Sequence, residues 1–187
     1  MSSTEHSLFS SYRESLLEHL FAGEVMKHVW LTGLRRLEVL KPQVDDGGYD
    51  LVLEAGNVVR HVQLKATFAG STVKRFNVNI GLMGKPSGCV VCVVFDKDTL
   101  ELGPFYWFGG APGQRLPDLA GMKTARHTKG DSTGRKAERP NIKVIPLSAF
   151  EFVPSIGVLA DRLFGDELHR PSNLLDVDNE VTGHAFR

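Results

Sequence analysis

The sequence has little cysteine, no net charge, no long apolar run and no internal repeat. Two cysteines in 187 residues exclude a disulfide framework. Lys plus Arg number 22 and Asp plus Glu number 22, so affinity for a polyanion has to come from a local patch. The longest apolar run, Cys89 to Phe95, is far too short to span a bilayer. Met1 to Ser7 is polar and has no basic cluster, so no secretory leader is expected and a cytoplasmic setting is the default. No His-Glu-x-x-His pair is present, and Gly109 to Gly113 lacks the lysine of a phosphate-binding loop. Apolar residues make up 42% and charged residues 24%, which excludes wholesale disorder. This length fits one domain, expected over 1–165, followed by a tail over 166–187.

What is present reads as α/β. Ser11 to Leu31 has helical periodicity, and Ser11 with Glu14 has the spacing of a capping box. Glu24 and His28 fall within about 20° of Leu17 on the helical wheel, so a carboxylate sits in an apolar stripe. Glu18 lies about 100° from Leu17 and is the rival. A strand is expected over Leu37 to Leu40, then a loop to Gly48. Tyr49 to Ala55 and Val58 to Thr67 form a hairpin around Gly56-Asn57. With that turn, Ala55 faces Val58, Val52 faces His61 and Asp50 faces Gln63. Asp50, His61, Gln63 and Lys65 then share one strand face. Asn77 to Gly84 reads as a short helix, Cys89 to Phe95 as a strand buried on both faces, and Phe105 to Phe108 as a further strand. Met122 to Lys143 reads as irregular, Lys143 to Pro146 as a last strand, and Ser155 to Phe164 as a helix capped by Ser155.

Glu24, Asp50 and Gln63-Leu64-Lys65 together suit phosphodiester hydrolysis. That reaction benefits from a cation that stabilises developing charge and acidifies a bound water. Mg²⁺ (or Mn²⁺) takes hard oxygen ligands and keeps several waters. Asp50, the amide oxygen of Gln63 and the carbonyl of Leu64 would supply part of its shell, and Glu24 would complete it. Lys65 would orient or deprotonate the attacking water, or neutralise the phosphate. Asp45 and Asp46 are rivals to Asp50 in the preceding loop. Cys89 and Cys92 spell Cys-x-x-Cys, but positions three apart on a strand face opposite ways, so neither a redox nor a zinc site is expected.

These residues resemble the PD-(D/E)XK nuclease superfamily. Asp46-Gly47-Gly48-Tyr49-Asp50 followed by Val62-Gln63-Leu64-Lys65 is most similar to its Mrr-type branch, which also has Gln at the acidic position. The likeness covers about half the chain, Ser11 to Phe95. It implies a restriction-endonuclease-like fold, with a mixed central β-sheet flanked by helices in the order helix, strand, strand, strand, helix, strand. It also implies a Mg²⁺-dependent hydrolase, an endonuclease acting on DNA, with Glu24, Asp50, Gln63 and Lys65 as its site. Gln63 brings no charge, so metal binding leans more heavily on Glu24.

Met122 to Lys143 holds seven cations, Lys123, Arg126, Lys129, Arg135, Lys136, Arg139 and Lys143, against Asp131 and Glu138. A local excess of five positive charges in a neutral protein suits a phosphate backbone. No base-reading module is present, so sequence-specific cutting would need loops or a homodimer that places two sites. Two alternatives stay open. One is a catalytically silent nucleic-acid-binding module of the same fold. The other is a protein-interaction module that uses the aromatic segment Phe105-Tyr106-Trp107-Phe108.

Overall fold

The computed structural model describes residues 9–44, 46–129 and 134–170. Helix α1 runs Ser10–Thr32 and buries Leu17, Phe21, Val25 and Val29 on one side. The helix starts one residue ahead of Ser11, after Phe9, and no side chain caps it. The capping box expected at Ser11 and Glu14 is therefore not formed. Gly33 closes the helix at φ 97°, donating its N–H to Trp30 O, in the left-handed region that glycine enters without cost.

Strands β1 (Glu38–Leu40), β2 (Leu51–Ala55) and β3 (Val58–Phe68) follow. The hairpin has the register that its turn predicts. Ala55 pairs with Val58 and Val52 with His61, so Leu51, Leu53 and Val62 point into the core together. Asn57 N–H donates to Glu167 Oε1 at 3.3 Å, and Gly56, at φ 56°, leaves room for that carboxylate. A Cβ at Gly56 would stand 2.0 Å from the same oxygen.

Strand β4 (Arg75–Asn79) and a 3₁₀ turn (Ile80–Gly84) occupy the place of the expected short helix. Strand β5 (Gly88–Phe95) then pairs parallel with β3. Every residue of β5 is buried, because it is covered on both faces. Strand β6 (Leu102–Gly109) pairs antiparallel with β5, and the short β9 (Glu151–Val153), which has no period of its own in the sequence, pairs with β6. The result is a mixed six-stranded sheet in the order β1-β2-β3-β5-β6-β9.

Helices α1 and α2 (Ile156–Phe164) cover one face of that sheet. Phe21, Val25, Leu159 and Leu163 pack on Leu53, Val62, Val91 and Trp107. The opposite face is covered by a second, three-stranded antiparallel sheet in the order β4-β8-β7, with β7 at Lys123–Arg126 and β8 at Glu138–Pro146. Phe76, Val78 and Ile145 from it pack against Val90, Cys92 and Phe108. The chain is thus a mixed α/β protein in three layers: helices, large sheet, small sheet.

The irregular reading of Met122 to Lys143 is corrected by β7 and the first half of β8. β7 buries Ala125 and β8 buries Ile145, while Glu138 to Asn141 are exposed, so no apolar period shows across this stretch. The aromatic strand is core rather than a partner surface: Phe105, Trp107 and Phe108 are all buried. Residues 166–169, expected to be tail, belong to the fold. Gly165–His169 is a 3₁₀ turn that buries Leu168 in the helical core, while 171–187 lies outside the described residues.

The capping of α2 follows the sequence. Ser155 Oγ accepts from Val158 N–H at 3.4 Å, and Gly165 follows the last turn. Replacing Ser155 with Ala should lower stability by about 0.5–1 kcal/mol, with a fall in Tm of about 1–4 °C in thermal unfolding. Unchanged melting would show that the bond contributes nothing. Among the described residues no helix is long and apolar enough to cross a membrane.

Candidate active site

Strand β2 starts at Leu51, whereas β3 continues to Phe68 alongside β5. Past Leu64, β3 therefore has no hydrogen-bonded strand on its β2 side among the described residues. Asp50 sits where the pairing ends. Its own N–H donates to Val62 O at 2.9 Å, and its Oδ2 accepts from Leu64 N–H at 2.7 Å. A carboxylate thus takes the place of the next backbone acceptor. Along a strand the N–H and C=O of one residue point to the same edge, so the Leu64 carbonyl also faces this edge.

A cleft of about 690 Å³ opens here, between the N-terminal half of α1 and the end of β3. Asp50, Leu64 and Lys65 line it from the sheet, and Arg13, Glu14 and Glu18 line it from α1. Lys97, beyond the end of β5, closes the far side, with its ammonium 3.5 Å from the centre of the Phe68 ring. Glu18 is held by Lys41 Nζ at 2.5 Å, which ties the helix to the loop after β1.

The helix carboxylates at the cleft, Glu14 and Glu18, therefore do not include the expected Glu24. Glu24 does not line the cleft, is 43% exposed, and pairs with Lys27 at 3.4 Å. The reason is the position of the buried stripe. Leu17, Phe21, Val25 and Val29 advance by four residues each, or about 40° per step, so their mean direction lies about 60° from Leu17. Glu18 is then about 40° from the stripe centre and Glu24 about 80°, on the other flank. Glu14 coincides with the centre direction, one turn before the core begins.

Gln63 shares the strand face of Lys65 but is sealed in, at 6% exposure, with Oε1 accepting from Asn79 N–H at 3.3 Å. It anchors the end of β4, midway along the crossover from β3 to β5, and does not line the cleft. His61 likewise serves the hairpin. Its Nδ1 lies 2.8 Å from Pro86 O, and its ring meets Tyr49 edge-on. Asp45 lies outside the described residues, and Asp46 does not line the cleft.

Among the described residues no group of three His, Cys, Asp or Glu side chains is close enough to hold a metal ion. The donors at the cleft are one carboxylate on the sheet, one backbone carbonyl beside it, and carboxylates on the facing helix. That set fits Mg²⁺, which binds through one or two carboxylates and keeps its waters, and does not fit a closed zinc-type cage.

Of the predicted basic residues, Lys123, Arg126, Lys129, Arg135, Lys136 and Arg139 are all exposed. Arg126 is paired with Glu138 at 3.2 Å across the β7–β8 ladder. The cysteines are buried and carry no site chemistry, burial pushing both thiols up to about 12. Neither should react with a thiol reagent at pH 8 in the native protein, and both should react in denaturant. Rapid native labelling would contradict this burial. No family model matches the chain, and no curated protein matches it.

Proposed function

We propose that the chain is a metal-dependent phosphodiesterase, a nuclease of restriction-endonuclease-like fold that acts on nucleic acid, DNA in the first instance. The observation that carries this reading is the unpaired edge of β3. There Asp50 is fixed by the Leu64 amide, Lys65 follows one residue later, and Glu18 lines the same cleft from α1. The order α1, β1, hairpin, crossover and parallel β5 supports the fold assignment, with β4 and a 3₁₀ turn in the crossover where a helix is usual.

Asp50, the Leu64 carbonyl and Glu18 are the groups that would hold Mg²⁺ or Mn²⁺. Such a cation, when bound, stabilises negative charge on the phosphate and acidifies its water. Asp50 is oriented by the amide it caps, so little rotamer freedom is lost when it binds. Lys41 and Glu18 together fix the helix side. Lys65 presents a cation to a scissile phosphate or orients the attacking water, and Lys97 with Arg13 adds positive charge at the mouth.

Exchanging the helix carboxylates tests the assignment. Glu18→Gln should slow metal-dependent cleavage by about 10–100-fold, most strongly at limiting Mg²⁺, and Glu24→Gln should leave the rate unchanged. The reverse outcome would return the role to Glu24. The function itself is tested by incubating the protein with plasmid DNA, single-stranded DNA and RNA, in Mg²⁺, Mn²⁺ or EDTA. Metal-dependent cutting supports a nuclease, and the preferred polymer names its substrate.

A second reading has its own observation. Gln63 is sealed under the crossover, and among the described residues no group of three His, Cys, Asp or Glu side chains is close enough to hold a metal ion, so the cleft offers a cation few ligands. A silent nucleic-acid-binding module of this fold would bind with strong salt dependence and cut nothing in any metal.

A further inference from the structure

A second groove, of about 640 Å³, lies on the outer face of the small sheet. Strand alternation builds it. In β4, Phe76 and Val78 point inward, so Arg75 points outward. In β8, Ile145 points inward, so Val144 and Pro146 point outward. Arg75 pairs with Pro146 and Lys123 with Val144, which sets Arg75 and Lys123 on the two strands flanking β8, on one face. Lys74, just ahead of β4, lines the same groove. None of the three has a carboxylate partner among the described residues. Val73, Val144 and Pro146 form an apolar floor between them.

This groove borders the cleft. Val73 lines both, Ser71 lies on the cleft side and Thr72 on the groove side. The segment that carries these residues joins β3, which bears Lys65, to β4, which bears Arg75. A ligand running from Lys65 over this segment meets cations, hydroxyls and an apolar floor in turn. A nucleic-acid strand has matching parts: phosphates for the cations and hydroxyls, sugars and base faces for the floor. An acidic peptide would use the cations but has less for the floor.

We propose that the outer face of the β4-β8-β7 sheet, through Lys74, Arg75 and Lys123, binds the sugar-phosphate backbone of the substrate strand where it leaves the cleft. This rests on the nucleic-acid reading of the cleft. It adds Lys74 and Arg75, outside the basic segment, to the binding surface. Of the residues within that segment, it singles out Lys123.

The test is binding in EDTA, where cleavage is silent. Fluorescence anisotropy follows a labelled DNA duplex and a labelled single strand over about 50–200 mM salt. The protein is the full chain and its Lys74→Ala/Arg75→Ala/Lys123→Ala variant. A Lys27→Gln/Arg36→Gln/Arg170→Gln variant matches the charge change on exposed positions away from the groove. Three lost phosphate contacts should reduce the slope of log K against log salt by about 2–3 and weaken binding about 10–50-fold near 150 mM. The charge-matched variant should keep the wild-type slope.

If both variants lose slope equally, the effect is general charge and the groove assignment fails. If the groove variant binds like wild type, the strand runs elsewhere, and the cleavage assay in Mg²⁺ still decides the nuclease reading by itself. If polyglutamate displaces the DNA as well as unlabelled DNA of equal charge does, the groove is a site for acidic protein and the proposal is overturned. No DNA binding by wild type, with cleavage intact, would overturn the track alone. Neither binding nor cleavage would overturn both readings.

Discussion

Lys65→Ala should lower metal-dependent cleavage by about 10²–10⁴-fold without changing the fold. Lys65 is only partly buried, lines the cleft, and lies one residue past the amide that fixes Asp50. Its removal leaves no buried partner behind, so stability should hold within about 0.5 kcal/mol. Asp50→Asn is the companion. Asparagine can still accept the Leu64 N–H with its amide oxygen, so the end of the hairpin should stay paired. It loses the charge, so the Mg²⁺ needed for half-maximal rate should rise and the maximal rate should fall by about 10²–10³-fold. An unchanged Mg²⁺ titration would remove Asp50 from the metal site. A Lys65→Ala variant that cuts at the wild-type rate would remove Lys65 from the reaction.

The largest effect on stability should come from Arg60, which is 0% exposed. Its guanidinium donates to the carbonyls of Leu163 and Arg162 at 2.6 Å each and of Gly110 at 3.0 Å, with longer bonds to Ala111 and Ser87. It also stands 5.3 Å from the centre of the Trp107 ring. Burial holds its pKa below the usual arginine value, and among the described residues no carboxylate pairs with it. Two of these carbonyls belong to the last turn of α2, where a helix has no acceptors' partners of its own. Arg60 is thus the C-terminal cap of α2 and the link from β3 to the loop after β6. Arg60→Met removes the donors and leaves the carbonyls buried. The cost should be about 3–5 kcal/mol, or about 6–20 °C in Tm. Arg60→Lys should recover little, because one ammonium with three donors cannot reproduce a planar five-donor fork. If Arg60→Met melts within about 2 °C of wild type, water is satisfying those carbonyls and the cap account is wrong.

The large sheet was legible wherever local chemistry decides it. Gly56-Asn57 and strict alternation set the β2–β3 register from Ala55 opposite Val58 to Leu51 opposite Val62, whereas Asp50, expected opposite Gln63, lies just outside β2 with its N–H on Val62 O and its carboxylate on Leu64 N–H. The unbroken apolar run of β5 signalled two covered faces. What was hidden depended on packing at a distance. The choice between Glu18 and Glu24 turns on which flank of the α1 stripe meets the sheet, and a stripe that drifts by about 40° per four residues does not show its centre in a short window. Gln63 lies on the correct face, yet Asn79 reaches it from the crossover and seals it, which no spacing reveals. Strand β7 and the first half of β8 bury almost nothing against the second layer and look like loop, while Lys143 to Pro146 reads as strand. Arg60 left a usable signal: it sits at the parity of Val62 and Leu64, where alternation calls for an apolar side chain. A charged residue at a core position, with no carboxylate beside it, points to backbone carbonyls as its partners.

Neutral net charge with local basic surfaces also has a consequence for conditions. Whatever nucleic-acid affinity the chain has should be set by a few contacts and fall steeply with salt, so cleavage should be sought first near 50 mM salt.

The most direct measurement is a time course of supercoiled plasmid with wild-type protein, in Mg²⁺ and in EDTA, run beside Lys65→Ala. The account predicts conversion to nicked or linear DNA in Mg²⁺ only, and almost none by Lys65→Ala. Plasmid that stays supercoiled with wild type in Mg²⁺, or equal cutting by both proteins, would contradict an active site built on Asp50 and Lys65.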